Sequence, residues 1–485
     1  MNGHILSLGW LGIARLGLVQ AMLGAVVVLT TSTLNRVMVV ELALPALLPG
    51  LLVALHYAVQ LSRPRMGYGS DVGGRRTPWI LGGMVVLALG GFGAAVATTW
   101  MAADRSLGIL LAVFSFMMVG LGVSAGGTSL LVLLAKRVDA PRRASAAALV
   151  WVMMIAGFAV TAGLAGRFLD PYSPARLLAV SGVVSLVAVA VAALALWGLE
   201  GHGRSASSSA SAIRARPDFT AALREVWREP DARRFTIFVF VSMLAYSMQD
   251  LILEPFAGAV FGYTPGASTQ LAGVQHGGTL MGMLLAALAG RRVAGARLGS
   301  LRAWMVGGCI ASGLALLGLV VAGAHAPHWP LRANVFVLGL ANGAFSIAAI
   351  GSMMSLAGTS SASGQAREGT RMGLWGAAQA IGFAVGGLFG AAASDVARWL
   401  IGHQGSAYAA VFFLEAGMFV AAALLAARLA APALRSAASA AAAASSTAFS
   451  APSAVMAAPP VGNADAQALA LALARIHAIS AGGSR

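Results

Sequence analysis

A few side chains in this sequence have a chemistry at odds with their surroundings. Asn35, Arg36 and Glu41 stand in "TLNRVMVVEL" (33–42), between two long apolar runs. Asp250 and Glu254 stand in "MQDLILEPF" (248–256), just before Pro255. His56 and His276 lie inside further apolar runs. An ionisable group in hydrocarbon is expensive, so each needs a partner, a water-filled cavity or a function. Arg36 and Glu41 are close enough in the chain to pair, with Asn35 beside them. A structural clamp and a ligand contact are both open readings. Asp250 and Glu254 echo that arrangement and are expected at the matching end of their own apolar run. A neutral imidazole is a good metal ligand, although a lone histidine in an apolar helix also hydrogen-bonds to its neighbours.

No enzyme constellation stands out. There is no phosphate loop, no metal-spaced His/Cys group and no ordered acid–histidine–serine set. The single cysteine, Cys309, excludes an internal disulfide and a cysteine metal cluster. Neither a catalytic residue nor a metal site is expected.

These side chains must be positioned by elements that live in lipid. Of 485 residues, 59% are hydrophobic and only 10% charged, and the mean hydropathy is +0.82. A soluble domain carries roughly 25% charged residues. A spanning helix needs about 20 mostly apolar residues. Such runs occupy 16–38, 42–62, 78–100, 107–135, 145–168, 177–199, 234–254, 267–290, 301–323, 332–356, 371–393 and 406–429. The expected fold is an all-α membrane protein with twelve transmembrane helices in two six-helix halves. The divisions are a lead-in at 1–15, the first half at 16–199, a polar linker at 200–233, the second half at 234–430 and a low-complexity tail at 431–485. The linker holds "SASSSASA" (205–212) and a short amphipathic stretch, "FTAALREVWREP" (219–230).

The formal net charge of +16 does not point to nucleic acid, because the basic residues come in small groups between apolar runs. That is how a polytopic protein sets its orientation. With both termini on one side, 26 of the 32 Lys and Arg fall there. Both termini are therefore expected in the cytoplasm.

One loop on that side, "GYGSDVGGRRTPW" (67–79), carries Gly67, Asp71, Gly74, Arg75 and Arg76. Its glycines allow a tight turn, and Pro78 suits the first turn of the next helix. A positive-inside loop explains the arginines but not the spacing. The spacing G-x3-D-x2-G-R-R resembles the signature loop of the major facilitator superfamily, whose gate loop braces two halves. The stretch "GRRVAGARLG" (290–299) is similar to a worn second copy, with Ala294 in the acid's place.

Residues 15–84 carry a closer likeness. "TLNRVMVVEL", followed by "RPR", "GSD" and "RRTPWI", resembles the PucC/LhaA family of phototrophic bacteria. The uninterrupted "GSDVGGRRTPW" is more similar to the LhaA branch. The resemblance implies an assembly factor for the core light-harvesting complex around the reaction centre, in the intracytoplasmic photosynthetic membrane. It implies bacteriochlorophyll as cargo or ligand. It implies antenna polypeptides as partners, with the reaction centre and pigment-synthesis enzymes as further partners. On this reading His56 and His276 become candidate axial ligands for a chlorin's magnesium, with Gln20, Gln60 and Gln275 behind them. Trp151, Met153, Met154, Met353 and Met354 could face a flat ring or fill gaps. Gly382, Gly386 and Gly390 recur at four-residue intervals, which favours close helix packing. Two alternatives stay open: a small-solute transporter of the superfamily, and a pigment-free assembly scaffold. Proton-coupled carriers of the superfamily keep carboxylates near the membrane centre. Glu41, Asp250 and Glu254 are expected nearer the outer side, with Glu415 in the twelfth span, which weakens that alternative.

Overall fold

The computed structural model describes residues 8–62, 75–139, 142–200, 224, 227–289, 300–357 and 368–429. Residues 1–430 form one compact unit, and 431–485 lie outside the described residues. Twelve helices occupy the twelve expected places, and no strand occurs among the described residues. They are α1 (Trp10–Glu41) and α2 (Leu47–Ser62), then α3 (Thr77–Trp100), α4 (Arg105–Arg137), α5 (Arg143–Phe168), α6 (Pro174–Leu196), α7 (Pro230–Phe261), α8 (Pro265–Ala289), α9 (Leu301–His325), α10 (Leu331–Ala357), α11 (Glu368–Ile401) and α12 (Gln404–Arg428). Eleven are long and apolar enough to cross a membrane, and α2 is a shorter apolar helix. Helices suit lipid because each satisfies its own backbone polar groups.

Several starts and stops are written locally. Asp104 accepts the Leu107 N–H at 3.0 Å to cap α4, Ser173 caps α6 through Arg176 at 3.2 Å, and Ser300 caps α9 through Ala303 at 3.2 Å. Pro78, Pro174 and Pro230 stand in first turns. Gly262, at φ 68°, ends α7 in the left-handed conformation.

Three boundaries differ from the sequence expectation. Helix α1 begins at Trp10, so the second part of the lead-in belongs to the first span. It also runs on to Glu41 through two π-helical turns, Leu29–Thr33 and Val37–Glu41, which leaves α2 short. Helix α7 continues through Pro255 to Phe261, as lipid-buried helices tolerate. Asp250 and Glu254 are therefore well inside α7, not at its end.

The two largest apolar clusters keep to one half each, while three smaller ones join the halves through Leu251, Ala272 and Ala391. One cluster of buried apolar side chains is drawn wholly from α7–α12, including Phe238, Phe345, Trp375 and Phe412. Another is drawn from the first half, including Leu16, Met84 and Leu130. Within each half, glycines set helix distances. A Cβ on Gly122 of α4 would stand 2.5 Å from the Leu87 backbone nitrogen of α3. A Cβ on Gly390 of α11 would stand 2.6 Å from the Met248 carbonyl oxygen of α7. The glycines of "GFAVGGLFG" thus bring α11 against α7. Between the halves, α5 meets α8 where Gly163 faces Gly273. Helix α2 meets α11 where Tyr57 stacks on Phe383, with centroids 5.9 Å apart.

Candidate functional site

A cavity of about 310 Å³ lies between the halves. Helices α1, α2, α4 and α5 wall it on one side, and α7, α8, α10 and α11 on the other. Its lining runs from mid-helix toward the end of the bundle where α2 and α4 finish and α7 and α11 begin.

The opposite end is closed by bonds between the halves. The Asn35 amide donates to the Leu251 carbonyl at 2.8 Å. Arg36 Nη1 pairs with Glu41 Oε1 at 2.7 Å, while Nη2 donates to the Tyr263 carbonyl at 2.7 Å. The hydroxyls of Thr33 and Thr269 lie 3.0 Å apart. The π-helical turns flank Leu34–Arg36 and offset these side chains from a regular α-helical stripe, toward α7 and α8. Asp395, on α11, completes the closure. Its two oxygens accept the N–H groups of Ala46 (3.0 Å) and Leu47 (2.7 Å) at the start of α2, and Arg398 pairs with it.

Asn35, Arg36 and Glu41 are thus brought together at this clamp. Asp250 and Glu254 make no hydrogen bond to them, although the Arg36 charge acts on Glu254. Both line the cavity. Glu254 is 2% exposed, with the Ser268 hydroxyl and the Arg36 charge acting on it. Among the described residues no ion pair involves either acid. Their place on the cavity wall corrects the expectation of acids crowded at the outer side. The weakening of a proton-coupled carrier that rested on it lapses.

His56 and His276 both line the cavity, from opposite halves. His56 Nε2 is 2.8 Å from Gln60 Nε2, as their spacing of four residues on one helix face allows. His276 meets the edge of Phe158 with centroids 5.0 Å apart, and its Nδ1 is buried without a hydrogen-bond partner. Gln20, Gln275, Trp151 and Met154 also face the cavity, whereas Met153 packs at Gly17 and Met353 packs against the second-half core.

At the open end, Gly67, Asp71, Gly74 and the stretch 290–299 lie outside the described residues. Arg75 is exposed and Arg76 buried. The acid that caps α3 is Glu200, which follows α6. It accepts from Arg76 N (2.6 Å), Thr77 N (2.8 Å) and Thr77 Oγ1 (2.7 Å). Burial pushes its pKa up, but these bonds and the nearby Arg75 charge outweigh that and hold it below the ordinary carboxylate value. In the second half, Arg371 of α11 pairs with Glu229, just before α7, at 2.7 Å.

Sequence reasoning missed Asp395 and Glu200. For Asp395 the signal was an omission. "ALPALLPG" offers no polar residue to cap the start of α2, so the acceptor had to come from elsewhere in the fold.

The family model described as PUCC protein matches residues 33–434. A Rhodobacter capsulatus protein named "Bacteriochlorophyll synthase 44.5 kDa chain" is 52% identical over 421 residues, covering 87% of this chain and 96% of that protein. "Protein PucC" of Rhodovulum sulfidophilum is 32% identical over 409 residues, covering 77% and 84%. Among solved structures, a D-xylose–proton symporter superposes with a TM-score of 0.64 at 16% identity, covering 87% of this chain and 98% of that one. That last likeness concerns the fold alone, which is of major-facilitator type.

Proposed function

The chain belongs to the PucC family, and from that premise we propose that it is an assembly factor for the core light-harvesting complex, holding bacteriochlorophyll and passing it to antenna polypeptides. The family and the relatives' names tie it to photosynthesis and to bacteriochlorophyll. One observation carries the finer reading. An apolar, aromatic-lined cavity lies between the halves, and His276 stands on its wall with no side-chain partner beyond an aromatic edge.

The cavity sits at the low end of the range for small-molecule pockets, about 300–1,000 Å³. A macrocycle is therefore only partly enclosed, and its alkyl tail stays in lipid. His276 is the favoured axial ligand for the magnesium. The Nε2 of His56 is already engaged by Gln60, so His56 shapes the wall. We place both termini and the open end in the cytoplasm, on the distribution of Lys and Arg. A neighbouring antenna helix would bind by packing and interhelical hydrogen bonds. This function is non-catalytic.

The test is an absorption spectrum of the protein purified from a phototrophic host that lacks antenna and reaction-centre polypeptides. Co-eluting stoichiometric bacteriochlorophyll, lost in His276→Ala, is the expected result. A colourless folded protein overturns it.

A second reading has its own support. Asp250 and Glu254 on the cavity wall are what a small-solute carrier with alternating access would use. Uptake or efflux that fails in Asp250→Asn, by a colourless protein, would favour it.

A further inference from the structure

Helix α12 carries a carboxyl that is not on the cavity wall. Glu415 stands in the middle of α12 and is fully buried, with neither oxygen hydrogen-bonded. Among the described residues no ion pair involves it. Its neighbours follow from register. Glu415 shares a helix face with Phe412 and Phe419, three residues before it and four after. Phe412 meets Phe256 of α7 with centroids 5.0 Å apart, and Phe419 meets Phe345 of α10 at 5.7 Å. Gln249 lies seven residues before Phe256 on the same face of α7, and Asn342 three before Phe345 on α10. Helix α7 runs against α12 and α10 runs with it, so both amides come to the level of Glu415.

Both amides are fully buried. Neither polar atom of Gln249, nor Asn342 Nδ2, has a hydrogen-bond partner. Asn342 Oδ1 accepts from Ser312 of α9 at 2.8 Å. Asp250, beside Gln249 in the chain, stands on the cavity wall, and its charge acts on Glu415. The other titratable groups nearby are Tyr246 on α7, Cys309 on α9 and Tyr408 on α12 itself. Helices α10 and α11 present none at this level.

An unpaired carboxylate in an apolar interior is costly, and a bound proton removes its charge. The acid form also suits the two amides. Its O–H can donate to Gln249 Oε1, while its other oxygen accepts an amide N–H. Acids inside membrane helices mark proton relays. We propose that Glu415 is a proton-binding site within the second half, which exchanges its proton with the cavity through Asp250. In each exchange an O–H bond forms on one carboxyl as the O–H bond on the other breaks, and water in the cavity restores Asp250. The site is independent of what the cavity carries.

Infrared spectroscopy reads this proton directly. The full-length protein in mild detergent at neutral pH is expected to show a C=O stretch from protonated carboxyls, with one component lost in the isosteric Glu415→Gln. Gln249→Leu is expected to move that component to higher wavenumber, because it removes a hydrogen bond. In heavy water the component shifts down as deuterium replaces the proton, and in Asp250→Asn that shift is expected to be at least about tenfold slower. Unchanged size-exclusion elution and far-UV circular dichroism establish that each variant is folded. A Glu415→Gln spectrum identical to the parent's overturns the proton site. A band unmoved by Gln249→Leu overturns it without that variant. Exchange as fast in Asp250→Asn as in the parent overturns the path through Asp250.

Discussion

The guanidinium of Arg36, on the first helix of one half, donates to the backbone carbonyl of Tyr263, between the first two helices of the other half, at 2.7 Å. The same group pairs with Glu41 on its own helix. One side chain, 2% exposed as a residue, thereby holds the closed end of the cavity from both sides. A planar fork can serve two acceptors at fixed angles, whereas an ammonium acts as a single point.

Arg36→Ala should therefore loosen the closed end. Breaking a buried pair costs about 3–5 kcal/mol. Glu41 is 36% exposed, so water relieves part of that, and a loss of about 3 kcal/mol is expected. Arg36→Lys should recover less than half. Thermal midpoints in detergent measure the loss. Thiol labelling of a cysteine placed at Thr33 should become faster as the end opens.

Asp395 caps a helix that it does not belong to. Asp395→Ala should destabilise by about 1–2 kcal/mol, as loss of an N-cap does, and Asp395→Asn by less because one acceptor oxygen remains. Hydrogen exchange should quicken at the amides of Ala46 and Leu47 before it does elsewhere in α2. Uniform exchange along α2 would contradict this.

Glu200 predicts a pH dependence. Its folded pKa is depressed below the ordinary 4.5. Its contribution is then fully present above that value and lost as the pH falls through the folded pKa. Stability of the parent protein should drop below about pH 4.5 more than that of Glu200→Ala, which is weaker throughout by about 1 kcal/mol or less. Partial solvent exposure keeps the effect at the low end. Parallel melting curves across pH 3–6 would refute the assignment.

Gly390 sets the distance between α7 and α11. Gly390→Ala puts a methyl 2.6 Å from the Met248 carbonyl oxygen, and backbone cannot swing away as a side chain does. Overpacking of this kind costs about 1–3 kcal/mol. At Gly376 a methyl would meet nothing within 4 Å, so Gly376→Ala should be accepted without loss. The pair of melting temperatures is the measurement.

His276→Ala should lower bound pigment at least about tenfold while the protein stays folded, and His56→Ala should lower it less. A missing ligand bond of about 1.4 kcal/mol already gives that tenfold change. Pigment per protein, read from one absorption spectrum, separates the two. An equal effect of both substitutions would mean that the Gln60 contact does not decide the ligand.

The sequence by itself determined the solvent, the number and place of the helices, and the pairing of Arg36 with Glu41. Hydropathy runs of spanning length and a five-residue separation are local facts, and helices in lipid obey local rules. It also carried the family, in the motif around residues 33–42 and 67–79. Tertiary structure alone decided what each polar side chain faces. Pro255 reads as a stop, yet α7 runs through it, so Asp250 and Glu254 moved from the end of a span to the wall of a cavity. His56 and His276 look alike in their apolar runs, and only the fold sets one against Gln60 and the other against an aromatic edge. Asp395 and Glu200 cap helices more than a hundred residues away in the chain. No periodicity within one helix encodes a partner that tertiary packing brings from another.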